Sequence, residues 1–142
     1  MKLTPHIHLS FNGTCEAAFA FYATHLNGQV ESSFRYGGSP AAATAPPGWD
    51  DKIMHATLRI GDTLFMGADV APESFEPARG FSLTLNVDNP TDAERLFQAL
   101  AEGGTIGMPM QETFWAARFG TLVDRFGIPW SINADNAPAA SA

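Results

Sequence analysis

His6 and His8 alternate with Ile7, Leu9 and Phe11 near the start of the chain. Strict alternation marks a half-buried strand. One face of that strand is apolar; the other carries two imidazoles and the Ser10 hydroxyl. An imidazole titrates near neutral pH, so it serves as acid, base or metal ligand. His55 stands in a second such run, in phase with Thr57 and Arg59. If both polar faces border one cavity, His8 and His55 approach each other, and there they bind a metal weakly or hold an anionic group. The plainer reading of each is a histidine hydrogen-bonded within its sheet. Ser82, Thr84 and Asn86 repeat the polar face further along, opposite Phe81, Leu83, Leu85 and Val87. Cys15, near a helix N-terminus, reads as a packing residue, because no His and Asp/Asn pattern around it suggests a nucleophile triad.

The elements that carry these residues occur twice. Residues 8–30 (HLSFNGTCEAAFAFYATHLNGQV) align without a gap on residues 84–106 (TLNVDNPTDAERLFQALAEGGTI). Leu9 falls on Leu85, Ala17 on Ala93, Phe21 on Phe97 and Gly28 on Gly104. Each stretch reads strand, helix, glycine stop, strand, as expected of a duplicated module. Thr14 is the expected N-cap of the first helix and Asn89 that of the second, where Pro90 follows and Asp92 stands at N3. The first helix is expected to bury Ala17, Ala20, Phe21 and Thr24, widened by Ala18 and Tyr22. Further strands are expected at 30–36, 53–60 and 63–66 in the first copy. In the second they are expected near 105–109, within 113–124 and at 128–133. A Gly/Pro/Ala loop at 37–51 carries Trp49, as a lid, a subunit contact or a local anchor. The order is βαβββ twice: an α+β domain over residues 1–134, with modules of about 5–69 and 80–134 and a frayed tail at 135–142. A helix covers one face of each sheet, and the opposite faces enclose a cup.

The chain has 142 residues, enough for one domain with a real core. Aromatics make up 11% and charged residues 16%, which suits a globular protein with a lined pocket or subunit interface. Net charge is −7 with 8 Lys+Arg, so nucleic acid and anionic membranes are not expected partners. One cysteine permits no intrachain disulfide. No apolar run approaches the roughly 20 residues of a membrane span, and no signal-peptide pattern opens the chain. The default location is the cytoplasm.

Residues 5–22 (PHIHLSFNGTCEAAFAFY), 53–62 (IMHATLRIGD) and 114–132 (FWAARFGTLVDRFGIPWSI) together resemble the vicinal oxygen chelate superfamily. The nearer resemblance is to its PhnB-like branch, often labelled 3-demethylubiquinone methyltransferase-like. Arg125 departs from that branch, which usually has proline there. No Gly-rich strand-to-helix loop supports a nucleotide-like cofactor behind the methyltransferase label. The resemblance implies a cup-shaped fold, a homodimer and a small-molecule ligand. It adds Trp115 and Arg118 to the cavity, Trp115 as a wall and Arg118 as a clamp for a carboxylate or phosphate. The alternatives are a core or interface tryptophan, and an arginine paired with Asp124 or Glu112. Members with a divalent metal take ligands from positions that fall here on His6 or His8, Phe65 or Met66, Ser82 or Thr84, and Ser131.

The expected ligand cavity therefore comprises His6, His8, Ser10, His55, Ser82, Thr84, Trp115 and Arg118; no catalytic residue is assigned. His8 and His55 are the candidate metal ligands. A zinc- or manganese-type site needs at least three N, O or S protein ligands, and this sequence supplies one or two. The expectation is a metal-free small-molecule binder. The alternative is a metal-dependent lyase, isomerase or dioxygenase-type enzyme.

Overall fold

Leu9 and Phe11 are buried while His8 and Ser10 are exposed, so the alternation of the first strand sorts its residues between a core and an open face. The computed structural model describes residues 1–135. It divides into two units, Met1–Glu76 and a second that begins at Pro77. The expected tail meets this boundary: Asp135 belongs to the last strand, and 136–142 lie outside the described residues.

The first unit runs β1 (Ile7–Phe11), α1 (Cys15–His25), β2 (Gln29–Arg35), β3 (Ile53–Ile60) and β4 (Thr63–Asp69). Its sheet has the order β1-β4-β3-β2, with β1 and β4 parallel and the other pairs antiparallel. α1 buries Cys15, Ala18, Phe19 and Tyr22. That corrects the expected stripe: Ala17, Ala20 and Thr24 are exposed and Phe21 only half-buried. Gly67 lets the helix sit close, because a Cβ there would lie 2.5 Å from Phe19 Cζ. Thr14 makes no side-chain cap bond. Instead the buried Asp69, at the end of β4, accepts from Cys15 N at 2.9 Å and from Ile53 N at 2.8 Å. A carboxylate from a distant strand thus satisfies an orphan donor of the helix and faces its positive end. In the 37–51 loop, Trp49 packs edge to face on Tyr36, whose hydroxyl donates to Asp69 O at 2.8 Å. This is the local-anchor alternative.

The second unit runs β5 (Leu83–Val87), α2 (Pro90–Ala101), β6 (Thr105–Gln111), β7 (Ala116–Val123) and β8 (Pro129–Asp135). Its sheet order is β5-β8-β7-β6, the same topology as the first. Asn89 caps α2 as expected: Asn89 Oδ1 accepts from Asp92 N at 2.8 Å. α2 buries Ala93, Phe97 and Leu100, spaced like Cys15, Phe19 and Tyr22. The two buried sets stand 78 positions apart (15 and 93), whereas the first strands stand 76 apart (7 and 83). The ungapped alignment holds for strands and misses the helix phase by two residues. Asp124 anchors the last turn from within the core, accepting from Phe126 N at 2.8 Å, Ile128 N at 3.0 Å and Trp130 Nε1 at 2.9 Å. Among the described residues no helix is long and apolar enough to cross a membrane.

Candidate functional site

Each sheet turns a polar face away from its helix. In the first unit the register aligns His8 with Met66 and Met66 with Thr57. His55, two residues before Thr57, shares that face and lies across from Phe34. The His8 and His55 ring centroids are 6.4 Å apart at an interplanar angle of 47°. The structure thus brings together the two histidines singled out from alternation. Partial burial, and after it the charge of His55, holds the His8 pKa below the usual imidazole value. Ser10 is exposed on the same face, beside Ala68. His6 is exposed and precedes β1, which begins at Ile7 rather than at residue 6. Cys15 lies beneath, on the helix side. Its thiol is pushed up to about 12 by burial and then by Asp69 and Glu16, so it stays protonated and unreactive at neutral pH.

In the second unit Ser82 Oγ and Ser131 Oγ lie 3.1 Å apart, within hydrogen-bond distance. Thr84 and Thr121 flank Ser131 in register. Ser82, Thr121 and Ser131 border a cavity of about 230 Å³ that Thr105 and Trp130 also line. Trp115 precedes β7 with 46% of its surface exposed, and its ring meets Phe119 edge to face with centroids 5.3 Å apart. Arg118 lies elsewhere. The β7 register that runs unbroken from Arg118 to Val123 puts Arg118 across from the buried Ala134, on the helix side of the sheet. There its guanidinium pairs with Glu94 of α2 and donates to Met110 O at 3.2 Å. Its charge is already matched, and it does not share the open face with Ser82 and Thr84. The partner is neither Asp124 nor Glu112.

Sequence reasoning passed over Thr121, Phe119, Asn133 and Asp135. The signal was present: Thr121 and Phe119 alternate along β7, and Asn133 and Asp135 continue the face that Ser131 begins. An expected strand only loosely bounded within 113–124 and an expected strand end at 133 left them out.

The donor chemistry can be set against the superfamily's divalent metal. The β4 position that faces His8 is Met66, a thioether. The positions just before β5 and on β8, Ser82 and Ser131, are hydroxyls within hydrogen-bond distance of each other. Among the described residues no group of three or more His, Cys, Asp or Glu side chains is placed to hold a metal ion. Zinc, manganese, nickel and iron sites draw on imidazole, thiolate and carboxylate. These residues do not fit such a site, and no chemical step is derived through one.

The family model described as 3-demethylubiquinone-9 3-methyltransferase matches residues 2–133. The crystal structure of protein PA1353 from Pseudomonas aeruginosa is 45% identical, covers 96% of this chain and 100% of its own, and superposes with a TM-score of 0.86. A putative 3-demethylubiquinone-9 3-methyltransferase, PhnB protein, from Bacillus cereus is 25% identical over 93% of this chain and 99% of its own, with a TM-score of 0.81. A glyoxylase/bleomycin resistance protein/dioxygenase domain from Frankia sp. EAN1pec shares the fold at 16% identity, covering 96% of this chain and 99% of its own, with a TM-score of 0.62. The α+β fold of paired βαβββ units is thus that of the glyoxalase/bleomycin resistance proteins, and the chain belongs to the 3-demethylubiquinone-9 3-methyltransferase-like family, the PhnB-like branch of the vicinal oxygen chelate superfamily.

Proposed function

We propose that this protein binds a small molecule on the open faces of its sheets and does so without the divalent metal of its superfamily. The observation that carries this reading is the Ser82–Ser131 hydroxyl pair at 3.1 Å. Two neutral hydroxyls that satisfy each other stand where the resemblance implies two metal ligands. They border a space of about 230 Å³ that suits part of a small ligand. His8, His55 and Ser10 offer polar contacts on the first unit, and Ser82, Thr84 and Trp115 on the second. Arg118 is left out of this set because Glu94 holds it.

The metal-dependent alternative has one observation in its favour, the approach of His8 and His55. Two imidazoles are one ligand short of the usual minimum of about three. Titration of the metal-free protein with Ni, Mn, Zn and Fe separates the two readings. The proposal expects no tight site.

We also propose a homodimer. The edge strands β2 and β6 expose Val30, Phe34, Ile106 and Met108 to solvent. Exposed apolar residues on unpaired strand edges favour burial against a partner. Sedimentation velocity at micromolar concentration is expected to give twice the chain mass of 15.2 kDa. A single species at the chain mass contradicts this part of the proposal.

A further inference from the structure

The open face of the second sheet ends in an aromatic corner that the functional reading leaves without a chemical class of ligand. The register runs Asn86–Asn133–Phe119–Gln111 across β5, β8, β7 and β6. Trp115 packs on Phe119 yet stays 46% exposed. Asp135, exposed, lies two residues beyond Asn133 on the same face and is paired in register with Ala116, the residue after Trp115.

The polar groups here are held in place. Asn133 Nδ2 donates to Asp135 Oδ1 at 2.9 Å and to Asn86 Oδ1 at 3.3 Å. Asn133 is 8% exposed, and its Oδ1 is buried with no hydrogen-bond partner among the described residues. A buried acceptor without a donor is penalised, and such exceptions in a native fold call for a reason. Two acceptors fix the nitrogen side of the amide, so it does not turn to find a donor for the oxygen. The corner therefore presents an exposed indole and a carboxylate, with a buried unmet acceptor beneath them. Among the open-face positions of β5 and β8 (Thr84, Asn86, Ser131, Asn133, Asp135), the charge is that of Asp135. Arg118, the cation of β7, is paired with Glu94 on the opposite face.

We propose that this corner binds an organic cation, an alkylammonium group laid against the Trp115 ring with its charge facing Asp135. The ring's negative face attracts a cation, and indole does so best among the aromatic side chains. A carboxylate beside it adds a charge that an anion is repelled by and a neutral group does not use. The inference rests on the reading that the open sheet faces bind a small molecule, and it names the class that one subsite takes.

Choline and its neutral carbon isostere, 3,3-dimethylbutan-1-ol, make the test. Each is titrated into the ¹⁵N-labelled full chain while the three indole N–H signals of Trp49, Trp115 and Trp130 are followed. The Trp115 signal is assigned from Trp115→Phe. The expected result is a saturable shift of the Trp115 signal with choline and none with the isostere at equal concentration. Affinity for choline is expected to fall roughly tenfold in Trp115→Ala. Asp135→Asn, which keeps the side-chain shape, is expected to lower it several-fold, and Trp115→Phe to give an intermediate value. Equal binding of the isostere overturns the cation assignment and leaves an apolar subsite. An unchanged affinity in Asp135→Asn, or no Trp115 shift with choline, also overturns it. Metal independence is read by a separate titration, so the two failures are distinguishable.

Discussion

Asp124→Ala is expected to lower the unfolding free energy by about 4 kcal/mol, because two buried donors and one half-buried donor lose one shared acceptor. Asp124 is 3% exposed. Its Oδ1 takes the Phe126 and Ile128 amides, and its Oδ2 takes the Trp130 indole. The first two bonds close the turn that returns β7 to β8, and the third fixes a tryptophan that is 1% exposed. Alanine removes this acceptor from two buried donors, Ile128 N and Trp130 Nε1, and from the half-buried Phe126 N. Asp124→Asn retains one oxygen and aims an amide N–H at a donor, so a smaller loss, near half, is expected. Urea unfolding followed by tryptophan emission measures both. Equal stability of Asp124→Ala and wild type contradicts the assignment of this carboxylate as the anchor of the last turn.

Asp69→Ala is expected to remove about 3 kcal/mol by the same logic with two donors, Cys15 N and Ile53 N. These bonds tie the start of α1 to the start of β3, so the loss falls on the first unit. Asp69→Asn offers a finer reading. The Asp69 charge is the second cause of the raised Cys15 pKa, after burial. Removing that charge favours the thiolate, so the pKa falls from about 12 and labelling by a thiol reagent becomes faster at a fixed alkaline pH. Burial persists, so the pKa stays above the ordinary cysteine value. Labelling no faster than wild type, in a variant shown to be folded, contradicts the electrostatic link between the two residues.

Much of this structure is written in short-range pattern. The βαβββ order reads from alternation and from Gly28 and Gly104, because backbone geometry imposes period two on a half-buried strand. Asn89 reads as a cap because its partner Asp92 is three residues away. Asp69 does not, because its partner Cys15 is 54 residues distant, and proximity in the fold replaces the local Thr14. The phase of α1 was misread for a related reason. An ungapped match of two copies assumes equal turns, whereas the buried sets show a two-residue shift between strand and helix. Arg118 enters the expected cavity through the resemblance alone, not through the alternation of its strand. Plain alternation with Phe119 and Thr121, which share the open face, places it on the helix side across from Ala134. His8 and His55 needed no such correction, because no register shift intervenes between β1, β4 and β3.

The most direct test of metal-independent ligand binding is elemental analysis of tag-free protein, joined to calorimetric titration with Ni, Mn, Zn and Fe on wild type and His8→Ala. The account predicts no stoichiometric metal and no tight site for any of the four ions, with the two proteins indistinguishable. One tight site per chain, lost in His8→Ala, contradicts it and places a metal at the His8 and His55 pair.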